Sequence, residues 1–203
     1  MFGYLKQYPK RKLAFNPMHP RISEEMFKRH DWHDFYRDSQ EATPWDMLKP
    51  QGNSMSNHCF VDASHGSDRA TRQSQTGILI FCFRAPVIWF SKRQNTVAAS
   101  TFGSKFQAMK NGGVELIESL CYKLRKFRVP IDGPTNIFCN IEAVYKNTSL
   151  PESTLKKITP LRIIDAVRPL QPAKEGTKTN LSNLFTKFLP QPQREELLDK
   201  FTY

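Results

Sequence analysis

Three short apolar segments followed by one long amphipathic stretch set the limits on what this chain can fold into. HCFVDAS (58–64), TGILIFCF (76–83) and APVIWFSK (85–92) each have the length and apolar density of a buried strand. The last two meet around Arg84–Ala85–Pro86 and read as a β-hairpin-like pair, while the polar loop HGSDRATRQS precedes them. Phe106, Met109, Gly113, Leu116, Ile117, Leu120, Leu124 and Phe127 then recur at three and four, which predicts a helix with one buried face through about Arg128. Gly112 and Gly113 lie inside it and together cost on the order of 2 kcal/mol in propensity. PTNIFCNIEAVYKN predicts a strand over 135–140 running into a short helix, and NLSNLFTKFLP with PQREELLDKF predicts one or two helices at the end. Between them, 151–174 has four prolines and no usable period. The order β-β-β-α-β-α, an irregular stretch, then α, is that of a mixed α/β domain.

The first fifty residues are different in kind. Pro9, Pro17, Pro20, Pro44 and Pro50 alternate with aromatics such as Tyr8, Phe15, Trp32 and Trp45, so a connection packed by its aromatic rings is expected, with a short helix at Ser23–Arg37. The polar stretch PQGNSMSN places the boundary at 57, giving a connection segment (1–57) and a folded domain (58–203).

Of the 203 residues, 39% are hydrophobic, enough for a packed core. The apolar run around Ile78–Phe83 is far below the roughly 20 residues of a membrane span, and MFGYLKQYPKRK has no apolar signal core. An intracellular protein, cytoplasmic or nuclear and without a membrane partner, is therefore expected. Cys59, Cys82, Cys121 and Cys139 lie far apart and read as buried free thiols. The net charge is +11, and residues 1–50 hold nine basic against seven acidic side chains, so most of the excess lies beyond them. That polarity suits a polyanionic partner but does not by itself distinguish one from a solvated basic surface.

Several strings occur together in one order: FVDAS with HGSDRATRQSQTGILIF, APVIWFSKRQNTVAASTFGSKF, NIFCNIEAVYKN, and NLFTKFLPQP. With them the chain resembles the ribonuclease H region, and part of the preceding connection, of a copia-type retrotransposon Pol polyprotein. The resemblance covers about 58–203, interrupted at 157–173, and extends weakly into FGYLKQYPKR. It implies a ribonuclease H-like fold, a mixed five-stranded sheet flanked by helices. It also implies cleavage of the RNA strand of an RNA–DNA hybrid by four carboxylates holding two Mg²⁺ about 4 Å apart. No polymerase palm is read in these residues, so reverse transcription is not expected of them.

Carried onto this sequence, the first acid is Asp62 and is present. The second falls on Lys105 in GSKF, the third on Asn140 after FC, and the fourth on Asn183 before LFTK. Magnesium selects charged oxygen ligands, so three of the four ligands are lost and an ammonium stands where cations should gather. Weak metal binding at Asp62, or none, is expected, and the cofactor of active relatives is not expected here. Each loss corresponds to one G→A change at a first codon position. The stretch 158–172, back-translated and read two bases later, gives a peptide like the family's, so damage by an out-of-frame segment near 157–173 is expected, with the last strand missing or mispaired.

Other acids offer little replacement. Glu142 lies past the strand end, Glu115 and Glu118 are about three turns down the helix, and Asp68 is in a loop. His30, His33, His58 and Cys59 match no zinc spacing and read as ordinary histidines and a buried thiol. Ser100 and Thr101 read as helix caps rather than nucleophiles. Arg69, Arg72, Lys92, Arg93 and Lys105, with Lys123–Lys126, are the candidate contacts to nucleic acid phosphates. Trp89 and Phe90 alternate, one toward the core and the other toward the connection. The leading expectation is a degenerate, inactive ribonuclease H-like domain. Its alternatives are a noncatalytic nucleic-acid-binding module and an active hybrid nuclease with replacement ligands.

Overall fold

The computed structural model describes residues 6, 8–27, 46–131, 133–140, 142–144 and 171–203. Strands β1 (Asn57–Ser64), β2 (Gln75–Cys82) and β3 (Ala85–Arg93) are followed by helix α1 (Thr101–Gln107). The same helical rod continues through a π-helical segment, Ala108–Val114, into α2 (Glu115–Lys126). Strands β4 (Asn136–Cys139) and β5 (Gln171–Lys174) and helices α3 (Asn183–Thr186) and α4 (Gln191–Leu198) complete the order.

The five strands form one sheet in the order β3-β2-β1-β4-β5. β1–β2 and β2–β3 pair antiparallel, and β1–β4 and β4–β5 pair parallel. A two-residue turn at Phe83–Arg84 closes the β2–β3 hairpin, with Phe83 at φ 54. The parallel β1–β4 pair requires a long crossover, which the helical rod supplies. This is an α/β fold of the ribonuclease H-like kind: a mixed five-stranded sheet with helices on its faces.

β1 is central, and both of its faces are covered, so its residues are buried almost without alternation. One core lies between the sheet and the rod: Cys59, Val61, Ile78, Ile80 and Ile137 pack with Met109, Ile117 and Cys121. The second lies on the opposite face, where Leu79 and Phe81 meet Leu181, Leu197 and Phe201. The rod follows the three-and-four spacing up to Leu124, but Phe127 is 79% exposed, because α2 ends at Lys126 and the turn after it swings that ring outward. The two glycines fall within the π-helical segment. A Cβ on Gly113 would come 3.2 Å from Val61 Cγ2, so the missing side chain lets the rod lie close on β1.

The expectation of a missing or mispaired last strand is corrected. β5 pairs with β4 in parallel register, Ile137 with Pro172 and Cys139 with Lys174, and Glu175 N–H extends the ladder to Cys139 O at 2.7 Å. Pro172 is tolerated because β5 is an edge strand, bonded on one side only. Residues 145–170, which contain most of the stretch expected to be damaged, lie outside the described residues. So does most of the Ser23–Arg37 helix: only a short 3₁₀ turn, Glu24–Met26, is described.

The start of the chain packs on its end. Lys12 and Tyr203 exchange backbone hydrogen bonds of 2.9 and 3.0 Å around a Leu13–Thr202 bridge, and Arg11 pairs with Asp199 at 2.9 Å. Trp89 is 48% exposed, and its neighbour Phe90 packs against the core. Phe90 is thus the ring toward the core, and Trp89 is half exposed, while residues 28–45 of the connection expected to cover it lie outside the described residues.

Candidate functional site

Asp62 lies near the end of β1, and its cross-strand partner on β2 is Gly77, which pairs in turn with Ser91 on β3. Partners across a ladder share a face, so this row presents a carboxylate, no side chain, and a hydroxyl to α3. Gly77 is required there. A Cβ at that position would stand 2.6 Å from Thr186 Cγ2, 2.8 Å from Phe185 Cβ and 2.9 Å from Ser182 O. Its absence lets α3 sit directly on the sheet, where the Ser91 hydroxyl donates to Phe185 O and the Thr186 hydroxyl donates to Asp62 Oδ2 at 2.8 Å. Asn180 ties the same loop to β1, its Nδ2 donating to Val61 O at 3.2 Å and its Oδ1 accepting from Ser182 N–H at 3.0 Å.

Into this setting the structure brings all four motif positions. Lys105 projects from α1, with Nζ 3.0 Å from Asp62 Oδ1, and donates a hydrogen bond to Asn140 Oδ1 just beyond β4. The Lys105–Asp62 contact is an ion pair rather than a directed hydrogen bond, since Oδ1 accepts none. Lys187, immediately after α3, places Nζ 3.2 Å from Asp62 Oδ2 and donates to Asn183 Oδ1 at 2.6 Å. Asn183 Nδ2 donates to Thr177 O at 2.6 Å. A continuous chain results: Asn140, Lys105, Asp62, Lys187, Asn183.

The electrostatics of that chain are unequal. Asp62 is only 1% exposed, so its charge costs several kcal/mol to desolvate. Two ammonium groups at 3.0 and 3.2 Å offset this, each by about 5 kcal/mol at an effective dielectric near 20. The cluster holds one negative and two positive charges. Among the described residues, no three His, Cys, Asp or Glu side chains are placed to hold a metal ion together.

Lys187 and Thr186 were not among the sequence candidates. The signal was present in the LFTK string: Lys187 lies four residues after Asn183, one helical turn away on the same side.

Of the other acids, Asp68 and Glu142 are committed elsewhere. Asp68 accepts backbone N–H bonds from Ala70 and Thr71 and pairs with Arg93 at 2.9 Å. The Thr71 backbone bond, then its hydroxyl and Arg93, bring the Asp68 carboxyl down to about 2. Glu142 pairs with Lys174 at 3.2 Å, and Glu115 is exposed on α2.

Of the basic candidates, Arg69 and Arg72 are exposed in the β1–β2 loop and Lys92 is exposed on β3, whereas Arg93 is held by Asp68. Lys92 and Arg93 line a groove of about 470 Å³ beside Gln94, whose buried Oε1 has no partner. Lys123, Arg125 and Lys126 occupy the last turn of α2, where cations suit the helix dipole.

His58 and Cys59 are adjacent on a strand and so point to opposite faces, which separates them as a ligand pair; His30 and His33 lie outside the described residues. All four thiols are free. Burial pushes Cys59 up strongly and Cys82 up to about 11, so neither is a thiolate at neutral pH. Ser100 caps α1, its hydroxyl accepting from Gly103 N–H at 3.0 Å. Among the described residues, no helix is long and apolar enough to cross a membrane.

Comparison with known proteins points the same way as the motifs. The chain is 28% identical over 96 residues to the retrovirus-related Pol polyprotein from transposon RE2 of Arabidopsis thaliana. It is 27% identical over 96 residues to the corresponding polyprotein from transposon RE1 of the same plant. The matched stretch is 47% of this chain and 6% of each polyprotein, so the chain spans a small part of these relatives. No protein-family model matches the chain, and no solved structure matches it significantly. By sequence, the chain is similar to a region of retrotransposon Pol polyproteins.

Proposed function

We propose that this is a retrotransposon-derived ribonuclease H-like domain whose ancestral reaction, metal-dependent cutting of the RNA strand of an RNA–DNA hybrid, has been lost. The observation that carries the reading is the Lys105 ammonium 3.0 Å from Asp62, with Asn140 and Asn183 at the other two positions where the family places acids. Two Mg²⁺ ions do not fit this donor set. Mg²⁺ takes charged or strongly polar oxygens at about 2.0–2.1 Å in near-octahedral order, and here one carboxylate is already neutralised by two lysines. The acids that a replacement site would draw on, Asp68 and Glu142, are held by Arg93 and Lys174.

A second reading, a noncatalytic nucleic-acid-binding module, is favoured by one feature. Arg69, Arg72 and Lys92 are exposed, and Lys92 lines the groove that holds the unmatched Gln94 oxygen. Phosphate contacts of this kind give binding that weakens steeply with salt. Cleavage and binding assays with a labelled RNA–DNA hybrid in Mg²⁺ separate the cases. The proposal expects no cleavage above background; salt-sensitive binding without cleavage supports the module, and cleavage that depends on Asp62 overturns both.

A further inference from the structure

His58 and Phe60 lie on the face of β1 that carries Asp62, but toward the other end of the strand. Asp62 and His58 are four residues apart, about 13 Å at the rise of a strand. There they line a cavity of about 480 Å³, within the range of about 300–1,000 Å³ typical of small-molecule sites.

The floor is aromatic. His58 stacks on Phe81 with ring centroids 4.7 Å apart and planes 3° from parallel, and Phe60 meets Phe81 edge-on at 5.9 Å. Three cations line the same cavity from separate parts of the chain: Arg21 before the 3₁₀ turn, Arg84 in the β2–β3 turn, and Lys200 after α4. None of the three forms an ion pair or side-chain hydrogen bond among the described residues, and no carboxylate is among the described lining residues. His58 is 6% exposed, and its Nδ1 has no hydrogen-bond partner.

Each feature points to part of a ligand. Three convergent cations without a counter-charge suit a di-anion, and guanidinium forks match phosphate oxygens in pairs. Phe60 is half-buried and stands nearly perpendicular to the stacked His58–Phe81 pair, so a planar ring would pack against Phe60 and the edge of that pair. The buried imidazole is uncharged at neutral pH, because burial pulls it down to about 4, and so offers a hydrogen bond to a polar ring edge without adding charge.

We propose that this cavity binds a mononucleotide, its base against Phe60 and the edge of the His58–Phe81 pair and its phosphate among Arg21, Arg84 and Lys200. The site is separate from the Asp62 cluster and does not depend on the loss of nuclease activity.

The probe is AMP, titrated calorimetrically into the intact chain at low salt, with adenosine and inorganic phosphate as the two halves. Saturable AMP binding is expected, about tenfold or more tighter than either half. In the Arg84→Ala/Lys200→Ala variant, whose changed side chains are exposed and form no ion pair or side-chain hydrogen bond among the described residues, AMP binding is expected to weaken at least about tenfold. In Asp62→Asn it should be unchanged. The His58 ring resonances should move on addition of AMP. A 5′-phosphorylated oligonucleotide that displaces AMP assigns the ligand to a strand end, and one that does not assigns it to the free nucleotide; both support the site. Absence of AMP binding at millimolar concentration, or equal binding by the double variant, overturns it.

Discussion

Lys105 Nζ sits 3.0 Å from the buried Asp62 carboxylate, and the same ammonium donates to Asn140, so one side chain from α1 joins the ends of the neighbouring strands β1 and β4. A charge cluster of the metal-binding kind needs an external cation to relieve its repulsion. This one carries its cations covalently, on Lys105 and Lys187. Under the proposed function, those two ammonium groups take the place of a divalent ion beside Asp62.

Lys105→Met should lower stability by about 3 kcal/mol in urea unfolding, because it removes one of the two cations beside a buried carboxylate and leaves Oδ1 unmatched. In an Asp62→Asn background the same change should cost about 1 kcal/mol or less, since no buried carboxylate is then stranded. Equal costs in the two backgrounds would show that Lys105 acts by packing alone.

Gly77→Ala should destabilise by about 2–3 kcal/mol, the cost of forcing side-chain volume into a filled core. The added methyl would meet Thr186, Phe185 and Ser182 O, all at less than 3.0 Å. Displacement of α3 would also move the Thr186 hydroxyl off Asp62, which a change in amide exchange over 183–187 would report. A neutral substitution would contradict the close seat of α3 on β2.

The pH dependence of stability follows from His58. Burial lowers its folded-state value to about 4 from 6.5, so the unfolded chain binds the extra proton first as pH falls. Its contribution is fully present above about pH 6.5 and is lost on descent toward about pH 4, amounting to about 3 kcal/mol. The measurement is the difference in unfolding free energy between the native chain and His58→Phe from pH 7.5 to 4. A difference that stays constant over that window would contradict a neutral, desolvated imidazole.

If the domain binds nucleic acid through its exposed basic loop and edge, Arg69→Ala and Lys92→Ala should each lower the slope of log affinity against log salt by about one. Arg93→Ala should change the slope less, because Asp68 already holds that guanidinium. Identical slopes in all three variants would remove these residues from the interface.

Much of this was legible in the sequence, and the reasons differ by element. β1 and β2 announced themselves as apolar runs because they are covered on both faces, the edge strand β3 by its β-branched and aromatic residues, and the rod because its period matched one buried stripe. The convergence of Asp62, Lys105, Asn140 and Asn183 was legible only through motifs in separate segments, since the sheet order that joins them is a long-range property. β5 was not legible: QPAK carries a proline, and its pairing on a single edge overrides a poor local signal. Phe127 misled because a helical period continues on paper past the residue where the helix stops. Lys187 was not legible because its place beside Asp62 depends on how α3 seats on the sheet, and it changes the cluster from neutral to net positive.

The most direct test of the central claim is a Mg²⁺ titration of the intact chain, followed by calorimetry and by cleavage of an RNA–DNA hybrid. Lys105→Glu/Asn140→Asp/Asn183→Asp, in which the carboxylates return, serves as the comparison. The native chain should show neither saturable Mg²⁺ uptake in the millimolar range nor cleavage, while the restored variant gains metal binding. Saturable uptake by the native chain, with RNA cleavage abolished by Asp62→Asn, would contradict the account.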